Sequence, residues 1–164
     1  MRKYTREDVD THRLGYGYGR APAVNVKNRN HVDADVVVHE FGCSQATAEK
    51  ALEWAWESAC EVFWSMDAPQ IVEESFGEYA KFHSEGRSSG WLVVTNLPPI
   101  EEWDAIALGR WRSFENRVRR EVDYLTSAEW VLDTIEANEW AEPEERDQNE
   151  VTRRHANALD ELHS

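Results

Sequence analysis

The sequence predicts a mostly helical α+β single domain with a small antiparallel β-hairpin, and three observations carry that prediction. Ala48, Leu52, Ala55, Ala59 and Phe63 recur at helical spacing behind a capping Ser44, with glutamates on the other side of the helix. Tyr79-Ala-Lys-Phe-His83 and Trp91-Leu-Val-Val-Thr95 are strand-like runs on either side of the glycine-bounded loop Ser84–Gly90, which signals a hairpin. Pro98-Pro99 ends the second run, and Ile100 to Tyr124 returns to a mostly helical pattern with Gly109 as a soft point.

In chain order, residues 1–31 read as a basic, weakly structured arm. Gly15-Tyr-Gly-Tyr-Gly19 favours irregular backbone, because ordering glycine costs the most entropy. Asn25 to Asn30 reads as a short strand running into a turn. Asp33 is placed to cap a short helix ending at Gly42, although the β-branched Val36-Val-Val38 makes a strand the rival reading. Ser44 then opens an amphipathic helix of about twenty residues. Pro69 permits a new helical start, and Gln70 to Phe76 form a short helix stopped by Gly77. Ser127 caps a last helix reaching about Trp140. The expected organisation is therefore an arm over 1–31, a compact domain over 32–141 and a charged tail over 142–164.

A chain of 164 residues with 41% hydrophobic content supports one core of ordinary size. Eight tryptophans supply bulky packing material, and most of them are expected in that core. The net charge of −14 is unevenly spread: +4 over residues 1–31, −12 over 32–109, +2 over 110–124 and −8 over 125–164. Such a surface repels nucleic acid and anionic membrane in general and suits a protein partner with a basic surface. Cys43 and Cys60 fall on one expected helix, too far apart to pair. No signal peptide or apolar run of membrane-spanning length is recognisable, so a reduced, cytoplasmic protein is expected.

Residues 34–52 trace a short helix, a glycine turn and a second helix, the outline of a helix-turn-helix. The second helix carries Glu49, Glu53, Glu57 and Glu61 against a single Lys50, the wrong sign for facing phosphates. Like charges one turn apart destabilise an isolated helix by ~0.2–0.5 kcal/mol per pair, so the row does not serve helix stability. A solvated face is the bland reading; recognition of a basic protein surface is the functional one. Trp54 lies off the apolar arc, which leaves it either under the arm or exposed as a contact anchor. A second candidate patch is Arg110, Arg112, Arg117, Arg119 and Arg120, beside Trp111 and Phe114, since arginine with aromatics suits anions or acidic surfaces. The interspersed Glu115, Glu121 and Asp123 make intramolecular pairing the competing explanation.

Two catalytic patterns lack their context. Gly86-Arg-Ser-Ser-Gly90 matches the nucleophile elbow literally, but the elbow needs a helix after Ser88 and Trp91 begins a strand. His39-Glu40 starts like a zinc-protease motif, yet Cys43 stands where the second histidine belongs and Gly42 breaks the helix. No catalytic residue, metal site or cofactor is therefore expected.

The segments Cys43-Ser-Gln-Ala-Thr-Ala-Glu-Lys-Ala-Leu-Glu-Trp-Ala-Trp-Glu57, Ser84-Glu-Gly-Arg-Ser-Ser-Gly-Trp-Leu-Val-Val94 and Trp103-Asp-Ala-Ile-Ala-Leu-Gly-Arg-Trp-Arg112 resemble uncharacterised small proteins of actinobacterial phages, mycobacteriophage-like in type. The resemblance implies a phage accessory gene acting in the host cytoplasm and carries over no catalytic residue. The expected function is non-enzymatic binding of a host or defence protein through the acidic helix. A helix-turn-helix DNA regulator, clamped by arm residues such as Arg2, Lys3, Arg6, Arg13 and Arg20, is the first alternative, and a virion or assembly component the second.

Overall fold

The computed structural model describes residues 3–15, 17, 19–27 and 32–137. The expected end of the last helix near Trp140 and the tail over 142–164 lie outside them. Two strands, β1 (Thr11–Leu14) and β2 (Gly19–Asn25), precede three helices, α1 (Ala34–Phe41), α2 (Gln45–Val62) and α3 (Ala68–Phe76). Strands β3 (Lys81–His83) and β4 (Trp91–Thr95) follow, then α4 (Ala105–Leu125) and α5 (Ala128–Ala137). This is the mostly helical α+β arrangement the sequence predicts. By its contacts the chain divides into two compact units, Met1–Asn30 with Ala59–Thr126 and His31–Ser58 with Ser127–Ser164.

The first unit holds the sheet, which is larger than a hairpin. All neighbours in the order β1-β2-β4-β3 are antiparallel. The β3–β4 hairpin thus provides only half of it. The other half comes from residues 11–25, which the glycine-rich composition had suggested were weakly structured. Gly17, between the two strands, and Gly19, at the start of β2, take φ of +85° and +67°, so these glycines make a turn possible rather than preventing order. Tyr4, Val9 and Leu14 anchor the segment by burial. The strand expected from Asn25 onward is displaced: β2 ends at Asn25.

Helices of this unit complete the core. Trp111 and Phe114 of α4 are fully buried, packed against Phe76 of α3 with ring centroids 5.8 and 4.9 Å away. Trp103 lies 5.8 Å from Trp111 and donates its indole N–H to Pro98 O at 2.9 Å. Between α2 and α3 the chain makes one wide π-helical turn, Phe63–Asp67, in which Ala68 N–H reaches back to Phe63 O. The extra residue turns the consecutive Phe63 and Trp64 both inward, and Phe82 of β3 meets Trp64 at 6.0 Å. Residues 100–102 form a separate 3₁₀ turn, and α4 starts only after Asp104 accepts Ala107 N–H at 2.8 Å. Gly109 sits inside that helix. The β3–β4 loop closes tightly at Gly86, where a Cβ would lie 2.3 Å from Trp91 O, so only glycine fits.

The second unit is helical. α1 is a helix despite its three valines, because Val37 is driven inward and Gly42, at φ 65°, ends it. Ser44 Oγ then accepts Thr47 N–H at 3.1 Å and starts α2. Val37 packs with Ala48, Ala51, Leu52 and Ala55 of α2 and with Val131 and Ile135 of α5, the helix capped by Ser127.

Candidate functional site

Burying Ala48, Ala51, Leu52 and Ala55 leaves the opposite face of α2 to Gln45, Glu49, Lys50, Glu53 and Glu57, all exposed. The helical rise stacks successive glutamates about 6 Å apart along the axis. Glu49 accepts a hydrogen bond from Gln45 Nε2 at 3.3 Å. Among the described residues, no basic group lies within the ion-pair limit of Glu49, Glu53 or Glu57. Glu61 behaves differently. In the first unit it faces Arg87 at 3.6 Å and accepts from Ser65 Oγ at 3.0 Å, so among the described residues three carboxylates of the row of four have no ion pair. Trp54 is half-buried, packed against the apolar core of the second unit.

The five arginines of α4 do not form one free cationic face. Arg112 and Arg119 grip the two oxygens of Glu115, at 2.9 and 3.3 Å, and Arg112 also donates to Asp8 O. Glu115 itself is buried. Arg117 pairs with Glu74. Among the described residues only Arg110 and Arg120 of the five have no ion pair, and Arg120 with Arg119, Asn116 and Asp123 lines a shallow open basin of about 460 Å³. The pairing of Glu115 follows from its spacing, with arginines three residues before and four after it, whereas its burial is set by tertiary packing.

Two carboxyls of the first unit have displaced proton affinities. Burial pushes the Glu121 carboxyl above its usual range, and the hydrogen bond and charge of Asp67 add to this while Arg117 opposes it. Glu74 shifts the other way, held down by hydrogen bonds from Gln70 and Arg117. A raised acid contributes stability that is complete below the usual carboxylate range and is lost as pH rises through its folded-state value. For Glu74 the sign reverses: its contribution is present above the ordinary value and lost as pH falls through the lowered one. Glu121→Gln is accordingly expected to remove the part of the stability that is lost as pH rises above the usual carboxylate range. A variant whose melting temperature tracks the wild type across that window would refute the assignment.

Ser88, the serine of the elbow-like pattern, is exposed in the 3₁₀ turn between β3 and β4. Its neighbour Ser89 lies 3.4 Å from His12 Nε2, a pairing across 77 residues that no local motif announces. His12 also stacks on Trp91, with centroids 5.8 Å apart. Ser89 Oγ also donates to Gly86 O at 3.0 Å, so the contact ties the β3–β4 loop to β1. Cys43 Sγ sits 4.0 Å from Val37 O, and among the described residues no three His, Cys, Asp or Glu side chains are grouped to hold a metal. Both cysteines are free thiols. No described helix is long and apolar enough to cross a membrane.

Comparison of the chain with family models, with curated proteins and with solved structures finds no match.

Proposed function

We propose that this is a non-enzymatic, phage-type accessory protein that binds a partner protein of basic surface through the exposed face of α2. One observation supports the reading above others: Glu49, Glu53 and Glu57 stand in line, exposed and with no ion pair among the described residues, while most arginines of α4 are engaged internally. Unpaired carboxylates on a rigid helix meet a basic groove without first breaking ion pairs, and their field speeds encounter. Lys50, beside them, sets a limit on the register such a partner can adopt. Arg110 and Arg120 of the first unit are a separate candidate contact for acidic groups. The phage-type assignment rests on the segment resemblance alone.

The test is capture from host lysate on immobilised wild-type protein and on the variant Glu49→Gln/Glu53→Gln/Glu57→Gln. The wild type is expected to retain a basic protein that the variant loses. Identical capture by both would remove the acidic-helix mechanism.

A second reading, a DNA-binding regulator, is favoured by one feature: α1, the turn at residues 42–44 and α2 do form the helix-turn-helix outline, with Val37 packed against α2. It requires α2 to approach phosphates with its glutamates outward. Retardation of duplex DNA at low ionic strength, lost steeply as salt rises, is its signature.

A further inference from the structure

β2 and β4 begin as partners and then part. Their register runs Asn25↔Trp91, Val24↔Leu92 and Ala23↔Val93 and stops there, although β4 goes on pairing with β3 as far as Thr95↔Lys81. The next rung would join Pro22 to Val94. Ala23 N–H points to Asp10 O on the β1 side, so by strand alternation the backbone of Pro22 faces β4. There it has no N–H to donate, and the ladder ends.

The gap between the parted strands is a cleft of about 660 Å³, within the usual range of roughly 300–1,000 Å³ for small-molecule sites. Ala21, Pro22, Val94 and Ile100, all buried, form its floor, and the half-buried Leu97 with the exposed Pro98 and Pro99 supply its accessible apolar surface. Two exposed arginines stand in the lining, Arg6 and Arg20, against one carboxylate, Glu101. Arg20 is held in place by Thr11, whose Oγ1 accepts from its Nη1 at 3.2 Å, leaving the remaining guanidinium donors for a ligand. Asn96 is fixed too: it takes φ 68° and donates Nδ2 to Tyr79 O at 3.0 Å. A concave site with an accessible apolar side, fixed polar groups and surplus positive charge, on a chain of net charge −14, selects one chemistry.

We propose that this cleft binds a small organic anion, with an apolar body against Leu97, Pro98 and Pro99 and a carboxylate or phosphate on Arg20 and Arg6. The site is separate from the α2 face and does not depend on the partner-binding reading. Guanidinium suits both head groups, because its planar fork matches the oxygens of either.

The experiment is a titration of the full chain followed through its backbone amide resonances, with four probes: octanoate, octyl phosphate, octanamide and inorganic phosphate. Octanoate or octyl phosphate is expected to shift the amides of residues 20–21 and 94–97 saturably, and the stronger of the two identifies the head group. Octanamide, which lacks the charge, and inorganic phosphate, which lacks the body, are each expected to bind at least about tenfold more weakly. Arg6→Gln, at an exposed position outside the sheet, is expected to weaken the preferred anion several-fold. Arg20→Gln is expected to weaken it about tenfold while the rest of the spectrum stays dispersed as in the wild type. Absence of saturable shifts at those amides, equal binding of octanamide or of inorganic phosphate, or wild-type affinity in both arginine variants would each overturn the proposal.

Discussion

Replacing Arg112 and Arg119 together by alanine is expected to cost about 3–5 kcal/mol of stability, the range seen when a buried charge loses its partners. The side chain of Glu115 is only 4% exposed, whereas the arginines that hold its oxygens are 50% and 43% exposed. The carboxylate therefore depends on them far more than they depend on it. Either arginine alone is expected to cost less, since the other still covers one oxygen. Adding Glu115→Leu to the double variant removes the orphaned charge and is expected to restore much of the loss. Urea denaturation of the three proteins decides the matter; a double variant within about 1 kcal/mol of the wild type would show that Glu115 is not dependent on the pair.

Trp111→Ala is expected to cost a similar amount, about 3–5 kcal/mol, for a different reason. Trp111 is fully buried where α4 meets α3 and the residues before it, with Phe76, Trp103 and Phe114 all within 6 Å by ring centroid. Truncation opens a cavity that three rigid rings cannot fill. Its indole N–H has no hydrogen-bond partner among the described residues, so Trp111→Phe forfeits shape and area but no hydrogen bond. That variant is expected to lose less than half as much as the alanine variant. Equal losses in a thermal or urea unfolding experiment would mean that the indole itself, not its packing, is what the site requires.

The helices were legible because their signals are local. Ser44, Gly42, Gly77 and Ser127 mark ends that lie where those residue types belong, and the 3.6-residue arc of α2 is buried as its spacing implies. The β1–β2 hairpin was missed because the same glycines signal either disorder or a turn, and only the partner strand β4, some seventy residues on, decides between them. The π turn at 63–67 has no sequence signature beyond two adjacent large aromatics. For the surfaces the division is similar. Exposure of Glu49, Glu53 and Glu57 follows from helix periodicity, but the capture of Glu61 by Arg87 and of Arg117 by Glu74 joins different elements and is set by tertiary packing. Pro22 inside a strand was the one local hint of the cleft, and its meaning required the register of β2 against β4.

The central claim, that the carboxylates of α2 are a recognition surface, is tested most directly by the salt dependence of partner binding. With the partner captured by the wild type, the account predicts that Glu49→Gln/Glu53→Gln/Glu57→Gln weakens binding about tenfold to a hundredfold at low ionic strength, chiefly through a slower association rate. It also predicts that the gap between the two proteins narrows as salt is raised, because exposed charges are screened. Equal affinities and equal salt slopes for wild type and variant, with both proteins folded, would contradict it.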